Sequence, residues 1–162
     1  MKSLYIFDLD GTLALIKHRL HFIQHKPKNW RAFFAAVADD APNVPVIRTL
    51  QALRSSGAEI WIWSGRSDEC KSMTVEWLCK HGCMGNNPTG FLPAWPFGSP
   101  ERFRMRKAGD YRDDVVVKGE WLAQIEPPDF SRLTAVFDDR DRVVSMWRAA
   151  GVPCFQVAEG KF

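Results

Sequence analysis

The chain has 162 residues, enough for one domain with a substantial buried core. Its composition, 46% hydrophobic and 25% charged, is that of a globular protein, and its formal charge of +3 is compatible with a polyanionic substrate without establishing one. No apolar run approaches the length of a membrane span, and no signal-like segment opens the chain. We therefore expect a cytoplasmic protein with reduced thiols and no membrane partner.

Short apolar runs alternate with segments of helical periodicity along the chain, which predicts an α/β fold: a Rossmann-like parallel sheet flanked by helices. The predicted strands cover residues 4–7, 58–63, 133–137 and 152–157, with a weaker candidate at 103–105. The predicted helices cover about 28–38, 44–55, 68–80, 114–125 and 141–149. A segment rich in Gly and Pro at 85–100 predicts a loop within a single domain spanning 1–162.

Chemically versatile side chains follow the predicted strands, at the edge where ligands bind in open α/β sheets. Asp8-Leu9-Asp10-Gly11-Thr12 follows the first strand, Ser64-Gly65-Arg66 the second and Asp138-Asp139 a later one. Lys118 falls near the start of a predicted helix. Taken singly, each of these is compatible with an acidic turn, a simple turn, a helix cap or a surface lysine. Their joint placement on one edge favours a common site.

This set of side chains suits phosphoryl transfer to a carboxylate. An ionised Asp8 can act as nucleophile, and Asp10, two residues on, can protonate a leaving oxygen and later activate water. Gly11 allows close approach of the backbone to a phosphate, while Thr12 and Ser64 add neutral donors. Lys118 adds a fixed positive charge. The late pair Asp138-Asp139 adds the carboxylate ligation that Mg²⁺ prefers.

The motifs Asp8-Leu9-Asp10-Gly11-Thr12-Leu13, Ser64-Gly65-Arg66, Lys118 and Asp138-Asp139 resemble the four motifs of haloacid-dehalogenase-like phosphatases. The resemblance implies a nucleophilic Asp8, Asp10 as general acid and base, and Ser64 and Lys118 as phosphate binders. Mg²⁺ would be held by Asp8, by the carbonyl of Asp10 and by the acidic pair. The stretch after Thr12 is too short for a large α/β cap, so we expect a minimal cap, a small flap segment at about 13–40.

A narrower resemblance spans most of the chain. The segments 109–118, Asp138-Asp139-Arg140, 146–148 and 151–162 are similar to the 3′-phosphatase domain of phage-type polynucleotide kinase/phosphatases. In that family an arginine eleven residues after the nucleophile matters, and Arg19 occupies that place. Arg66, Arg106 and Asp114 match further functional positions. The resulting candidates are Asp8, Asp10 and Lys118 for catalysis, Thr12, Arg19, Ser64, Gly65, Arg66, Arg106 and Asp114 for the substrate, and Asp8, Asp10, Asp138 and Asp139 for Mg²⁺.

The resulting hypothesis is a Mg²⁺-dependent phosphatase that removes 3′-phosphates from nucleic-acid ends or nucleotides through an aspartyl-phosphate. A small-molecule phosphatase or nucleotidase is the alternative within enzymes. A response-regulator receiver, whose acidic pair precedes its phosphorylated aspartate, and a non-catalytic nucleic-acid binder are further alternatives. The 162 residues contain no P-loop motif, so we expect no kinase activity, and no obligate protein partner can be inferred.

Cysteines offer a separate metal hypothesis. Cys79 and Cys83 have the spacing of half a zinc site, but no second pair of ligands with matching spacing follows. Ordinary thiols near a helix end are therefore the preferred interpretation.

Overall fold

The computed structural model describes residues 1–84 and 102–160, so the loop predicted at 85–100 lies outside the described residues. Within these described ranges, seven strands form two sheets. They are β1 (Leu4–Phe7), β2 (Ala14–Leu15), β3 (Ala41–Pro42), β4 (Glu59–Ser67), β5 (Phe103–Arg106), β6 (Leu133–Asp138) and β7 (Cys154–Gln156). The main sheet has five strands in the order β5-β4-β1-β6-β7, and every neighbouring pair in it is parallel. This confirms the predicted fold class.

Helices connect the strands. They are α1 (His21–Gln24), α2 (Trp30–Ala35), α3 (Val44–Ser55), α4 (Lys71–Lys80), α5 (Asp114–Ala123), α6 (Pro127–Phe130) and α7 (Asp141–Ala149), with short 3-10 turns at Lys17–Arg19, Val37–Asp39 and Asp68–Cys70. Local capping sets several of the boundaries. The side chain of Asp113 accepts a hydrogen bond from the backbone of Val115 at the start of α5, and Gly57, with φ 91°, follows the end of α3.

The strands bury both of their faces, and alternate residues point to two separate cores. Phe7 and Ile62 belong to one core, together with residues of α3 and α4 such as Leu50 and Trp77. The other core takes the intervening strand residues, together with residues of α7. Its strand members include Ile6, Trp61 and Trp63, and Trp147 is its largest helical member. Helices therefore cover both faces of the sheet, in agreement with the predicted parallel sheet flanked by helices.

The segment after β1 leaves the sheet and returns through a two-stranded antiparallel ribbon. In it Ala14 pairs with Pro42 and Leu15 with Ala41. Short helical elements lie between these two strands, namely the 3-10 turn at Lys17–Arg19, α1, α2 and the 3-10 turn at Val37–Asp39. This segment corresponds to the flap predicted at about 13–40, whose role as a cap stays a prediction. The predicted helix at 28–38 is shorter in the structure, because it divides into α2 and the following 3-10 turn.

Within residues 1–84 and 102–160, no helix combines the length and the apolar character needed to cross a bilayer.

Candidate active site

A buried lysine joins two of the predicted carboxylates. Asp8 directly follows β1, and Asp138 is the last residue of β6, the neighbouring strand in the sheet. Lys118 approaches both from the second turn of α5: its Nζ donates to Asp8 Oδ1 at 2.6 Å and to Asp138 Oδ2 at 2.7 Å. Burial opposes the charge of Lys118, but Asp138 and Asp8 outweigh it, so the pKa of Lys118 is raised. The ammonium group is therefore a permanent charge beside Asp8.

Three carboxylates lie close together near this one ammonium group. Asp8, Asp138 and Asp139 are buried, and each offers an oxygen within 4.8 Å of the others. Burial raises the pKa of Asp8, and Asp138 and Asp139 raise it further despite the opposing effect of Lys118. Burial, followed by Asp138, raises the pKa of Asp139 to about 6. Such an excess of buried negative charge, on oxygen ligands alone, fits a hard divalent cation.

The carboxylate of Asp10 lies in a second cluster, where two buried arginines hold it. Arg19 Nη2 donates to Asp10 Oδ1 at 2.9 Å, and Arg66 donates to the same oxygen through Nε at 3.0 Å and also through Nη2. Burial raises the pKa of Asp10, but Arg66 and Arg19 outweigh this effect and leave it below its usual range. Asp10 is therefore ionised in this arrangement.

Asp40 completes the second cluster, and it belongs to none of the sequence motifs identified above. Its Oδ1 accepts from Arg19 Nε at 2.6 Å, and its Oδ2 accepts from Arg19 Nη2 at 2.9 Å and from Arg66 Nη2 at 2.7 Å. Nε2 of His18 lies 3.1 Å from Oδ1. Burial raises the pKa of Asp40, against the opposing effect of Arg19. The available signal was an unexplained acidic pair, Asp39-Asp40, ahead of α3, and nothing in it distinguished the exposed member from the buried one.

A third group surrounds Asp114, the first residue of α5. Its carboxylate is held from two sides, by Arg106 of β5 and by Arg140, which follows the acidic pair. Arg106 Nε also donates to the backbone carbonyl of Gly65 at 2.8 Å. A side chain at Gly65 would overlap the Asp114 carboxylate. Glycine is therefore required here by close approach.

The remaining predicted residues support the backbone around these groups. Gly11 has φ 88°, and a side chain there would overlap the carboxylate of Asp139. Thr12 is fully buried, and its hydroxyl donates to Asp139 Oδ1 at 3.4 Å. Ser64 is also buried, and its Oγ accepts a hydrogen bond from the backbone of Arg66 at 3.1 Å. Strand β4, predicted to end at residue 63, continues to Ser67, so Ser64, Gly65 and Arg66 lie within it.

An open cleft of about 570 Å³ gives access to these groups. Nine of the predicted residues line it, namely Asp8, Asp10, Gly65, Arg66, Arg106, Asp114, Lys118, Asp138 and Asp139. Thr12, Arg19 and Ser64 lie behind the lining, in contact with it. Nη1 of Arg19 is buried and has no hydrogen-bond partner among the described residues.

The sequence pattern of the family described as "Polynucleotide kinase PNKP phosphatase domain" matches residues 2–162. The chain belongs to this family. Membership confirms the resemblance drawn from the motifs and makes this chain a phosphatase of the haloacid-dehalogenase-like type. The order of strands and the carboxylates at their ends are consistent with that assignment.

Solved structures with this fold include members of larger assemblies. A chain of the Pnkp1/Rnl/Hen1 RNA repair complex superposes with a TM-score of 0.74 at 29% identity, covering 100% of this phosphatase domain and 44% of that chain. A second Pnkp1/Rnl/Hen1 complex gives the same score and identity, with 47% of its chain covered. The domain thus spans under half the length of both. The class C acid phosphatase from Bacillus anthracis, at 16% identity, a TM-score of 0.64 and coverage of 99% and 67%, shares the fold.

The cysteines contribute no alternative metal centre in the described part of the chain. All four thiols are free, and the one group there with three or more closely spaced candidate ligands is the carboxylate trio. Cys79 and Cys83 lie at the end of α4 and just beyond it, as expected for ordinary helix-end thiols.

Proposed function

We propose that this domain hydrolyses phosphomonoesters in the presence of Mg²⁺ through a phosphoryl group carried on Asp8, and that its substrates are 3′-phosphorylated nucleic-acid ends. The observation that carries the proposal is the position of Lys118 between Asp8 and Asp138, with Asp139 adjacent. One oxygen of Asp8 accepts from Lys118, and the other accepts no hydrogen bond from the residues that the structure describes. That oxygen is available to attack phosphorus.

Asp8, Asp139, the carbonyl of Asp10 and Asp138 are the groups that would hold Mg²⁺. Both oxygens of Asp138 already accept hydrogen bonds, from Lys118 and from the backbone of Arg140 at 3.2 Å. Among the described residues, the one other residue that donates a hydrogen bond to the Asp139 carboxylate is Thr12, at a long 3.4 Å, which favours Asp139 as the member of the pair that binds Mg²⁺ directly. The ion would neutralise charge on the phosphoryl oxygens.

The first step breaks the ester bond. The carboxylate of Asp8 attacks phosphorus, the bond from phosphorus to the ester oxygen breaks, and Asp10 delivers a proton to the departing alkoxide. Lys118 stays protonated and offsets the negative charge between Asp8 and the incoming phosphate. In the second step Asp10 takes a proton from water, the water oxygen attacks phosphorus, and the bond to Asp8 breaks to release inorganic phosphate.

The pairing of Asp10 with Arg19 and Arg66 favours its ionised form, which suits the second step. The first step requires the same carboxyl with its proton. A bound phosphate that attracts either guanidinium group away from Asp10 would favour the protonated form of the Asp10 carboxyl. The unpartnered Nη1 of Arg19 supports such a shift, because a buried donor without an acceptor costs about 1–3 kcal/mol.

We infer that the substrate is a nucleic-acid end in preference to a small-molecule phosphate. Arg66 and Arg106 line the cleft, and planar guanidinium groups grip phosphates through paired hydrogen bonds. Membership of the polynucleotide kinase phosphatase family and the likeness to a chain of an RNA repair complex support this choice. The alternative, a small-molecule phosphatase or nucleotidase, uses the same chemistry on a smaller leaving group.

A phosphate-release assay tests the proposal. We would offer matched oligonucleotides with a 3′-phosphate or a 5′-phosphate, nucleoside 3′- and 5′-phosphates and a simple alkyl phosphate, each with Mg²⁺ or with excess EDTA. We expect release that depends on Mg²⁺, prefers 3′-phosphates and weakens with added salt. Equal rates on all of these substrates with no salt dependence would favour the small-molecule alternative, and activity in EDTA would contradict the role of Mg²⁺.

A further inference from the structure

The flap segment presents an apolar surface to the catalytic cleft. Its aromatic members, here called the aromatic wall, are Trp30, Phe33 and Phe34 of α2. Ile16, Leu20 and Ile23 extend the same surface along the cleft. Neither main core cluster contains the aromatic wall, so packing of the central sheet does not explain it.

The three rings support one another. Trp30 and Phe34 are stacked with centroids 5.8 Å apart and an interplanar angle of 24°, and Trp30 meets Phe33 edge-on at 5.7 Å. Phe33 is buried, and Arg19 Cζ lies 4.1 Å from its ring centroid. Arg19 also donates a hydrogen bond to Asp10, so this one side chain contacts both the aromatic wall and a carboxylate of the proposed reaction. An apolar surface of mutually packed rings therefore lies beside the position where phosphate must bind.

Trp30 is the exposed member of the aromatic wall. Some 40% of its surface is accessible, whereas Phe33 retains 4%. Lys28, which also lines the cleft, places its ammonium 5.4 Å from the centroid of the Trp30 ring. Tyr111, from the segment between β5 and α5, lines the same cleft with 86% of its surface exposed. Exposed aromatic rings interleaved with cationic groups are the surface that single-stranded nucleic acids recognise.

We propose that the aromatic wall is a stacking site for the terminal nucleobase of a 3′-phosphorylated strand, with Trp30 as the contacting ring. This rests on the proposed function, since the phosphate of the same nucleotide must reach Asp8. A base can stack on Trp30 only after it leaves its own duplex or strand stack, so the substrate is a single-stranded or frayed end. Every base has an aromatic face, so the site tolerates all four bases.

The test compares two oligonucleotides that share one sequence and a 3′-phosphate. In one the terminal residue carries its base, and in the other it is an abasic tetrahydrofuran. For the parent protein we expect kcat/KM to be roughly tenfold higher on the substrate with the base, in line with the contribution of one stacked base. Trp30→Ala should reduce that preference to about one, and Trp30→Phe should retain most of it.

The matched control is Phe130→Ala. Phe130 on α6 is exposed to a similar extent, 46%, but does not line the cleft, so its removal should leave the preference intact. Equal losses on both oligonucleotides in Trp30→Ala, or a parent protein indifferent to the base, would overturn the stacking site alone. A parent protein that releases phosphate from neither oligonucleotide but still hydrolyses a simple alkyl phosphate would overturn the proposed function and the stacking site with it.

Discussion

Trp77 of α4 donates a hydrogen bond from its indole Nε1 to the main-chain carbonyl of Asp40 at 2.7 Å, across 37 positions of sequence. The indole is buried in the core that packs under β1 and β4. Through this bond the core fixes the backbone of Asp40, and the Asp40 side chain in turn fixes Arg19 and Arg66. The arginines that contact Asp10 are thus positioned from the protein interior.

Asp40→Asn should therefore reduce both stability and turnover. An amide cannot balance two buried guanidinium groups, and breaking a buried ion pair on one side costs about 3 kcal/mol. We expect urea unfolding to show a loss of that size and phosphate release to fall by at least about tenfold, because the arginines lose their fixed positions. Asp39→Asn, at the exposed neighbour, is the control and should change neither. Indistinguishable results for the two variants would contradict the role given to Asp40.

Asp8→Asn should abolish turnover without weakening the fold. The amide is nearly isosteric with the carboxylate but cannot attack phosphorus, so we expect kcat to fall by about 10⁴-fold or more. It also relieves the repulsion among three buried carboxylates, of which only Asp8 and Asp138 are paired with Lys118. The free energy of unfolding in metal-free buffer, measured with urea, should stay level or rise. A variant that keeps the parental rate would show that Asp8 is not the nucleophile.

Asp10→Asn should distinguish substrates by their leaving groups. General acid catalysis contributes about 10²–10⁴-fold when the departing oxygen is a poor leaving group, and little when it is an activated phenolate. The ratio to measure is kcat/KM for alkyl against aryl phosphates, because this parameter reports the step that breaks the ester bond. We expect a loss at least about tenfold larger on the alkyl ester. Equal losses on both esters would argue that Asp10 does not protonate the leaving group.

Two glycines that differ in their surroundings should respond to alanine in opposite ways. At Gly65 a methyl group would meet the Asp114 carboxylate, which Arg106 and Arg140 hold in place. Gly65→Ala should cost about 1–3 kcal/mol and lower activity. Gly119, within α5, has open space around it, so Gly119→Ala should stabilise the fold by up to about 1 kcal/mol. Urea unfolding measures both, and a stabilised Gly65→Ala would contradict the close approach.

The interior thiols should be inert in the native protein. Burial raises the pKa of Cys83 and that of Cys154 to about 12. Because the thiolate is the reactive form, a thiol with that pKa is ionised at pH 8 to only about one part in 10⁴, against roughly one in four to one in ten when unfolded. Iodoacetamide labelling at these two positions, followed by mass spectrometry, should be slow without denaturant and rapid in urea. Rapid labelling of the native protein would contradict their burial.

Sequence patterns predicted the sheet well where the physical signal was strong. The apolar runs of β1 and β6 are buried on both faces, so their limits in the structure match the prediction or differ from it by one residue. The acidic residues that follow these strands meet because parallel strands end at the same edge. The sequence could therefore place Asp8 and the late acidic pair together. Lys118 lies on α5 and not at a strand end, so it was assigned to the same site through the resemblance to the haloacid-dehalogenase-like motifs.

Other features depended on contacts that no local pattern encodes. The ribbon of β2 and β3 has two residues per strand, too few to show an alternation. The ion pairs of Asp40 depend on how the segment after β1 folds back on β4, which composition does not reveal. The continuation of β4 to Ser67 was missed because Ser64-Gly65-Arg66 has the composition of a turn. In the structure Ser64 and Ser67 pair with β5, and the register shifts between them.

The parallel order of the sheet also makes the site an all-or-none assembly. Lys118 and Asp8 are 110 positions apart, and Thr12 and Asp139 are 127 apart, so the earliest and latest parts of the described chain meet at one point. If β6 were detached from β1, Asp8 would be separated from Asp138 and Asp139. Catalytic competence is accordingly a property of the fully docked sheet, and it depends on contacts between distant parts of the chain, which are the contacts with the largest loop-closure cost in folding.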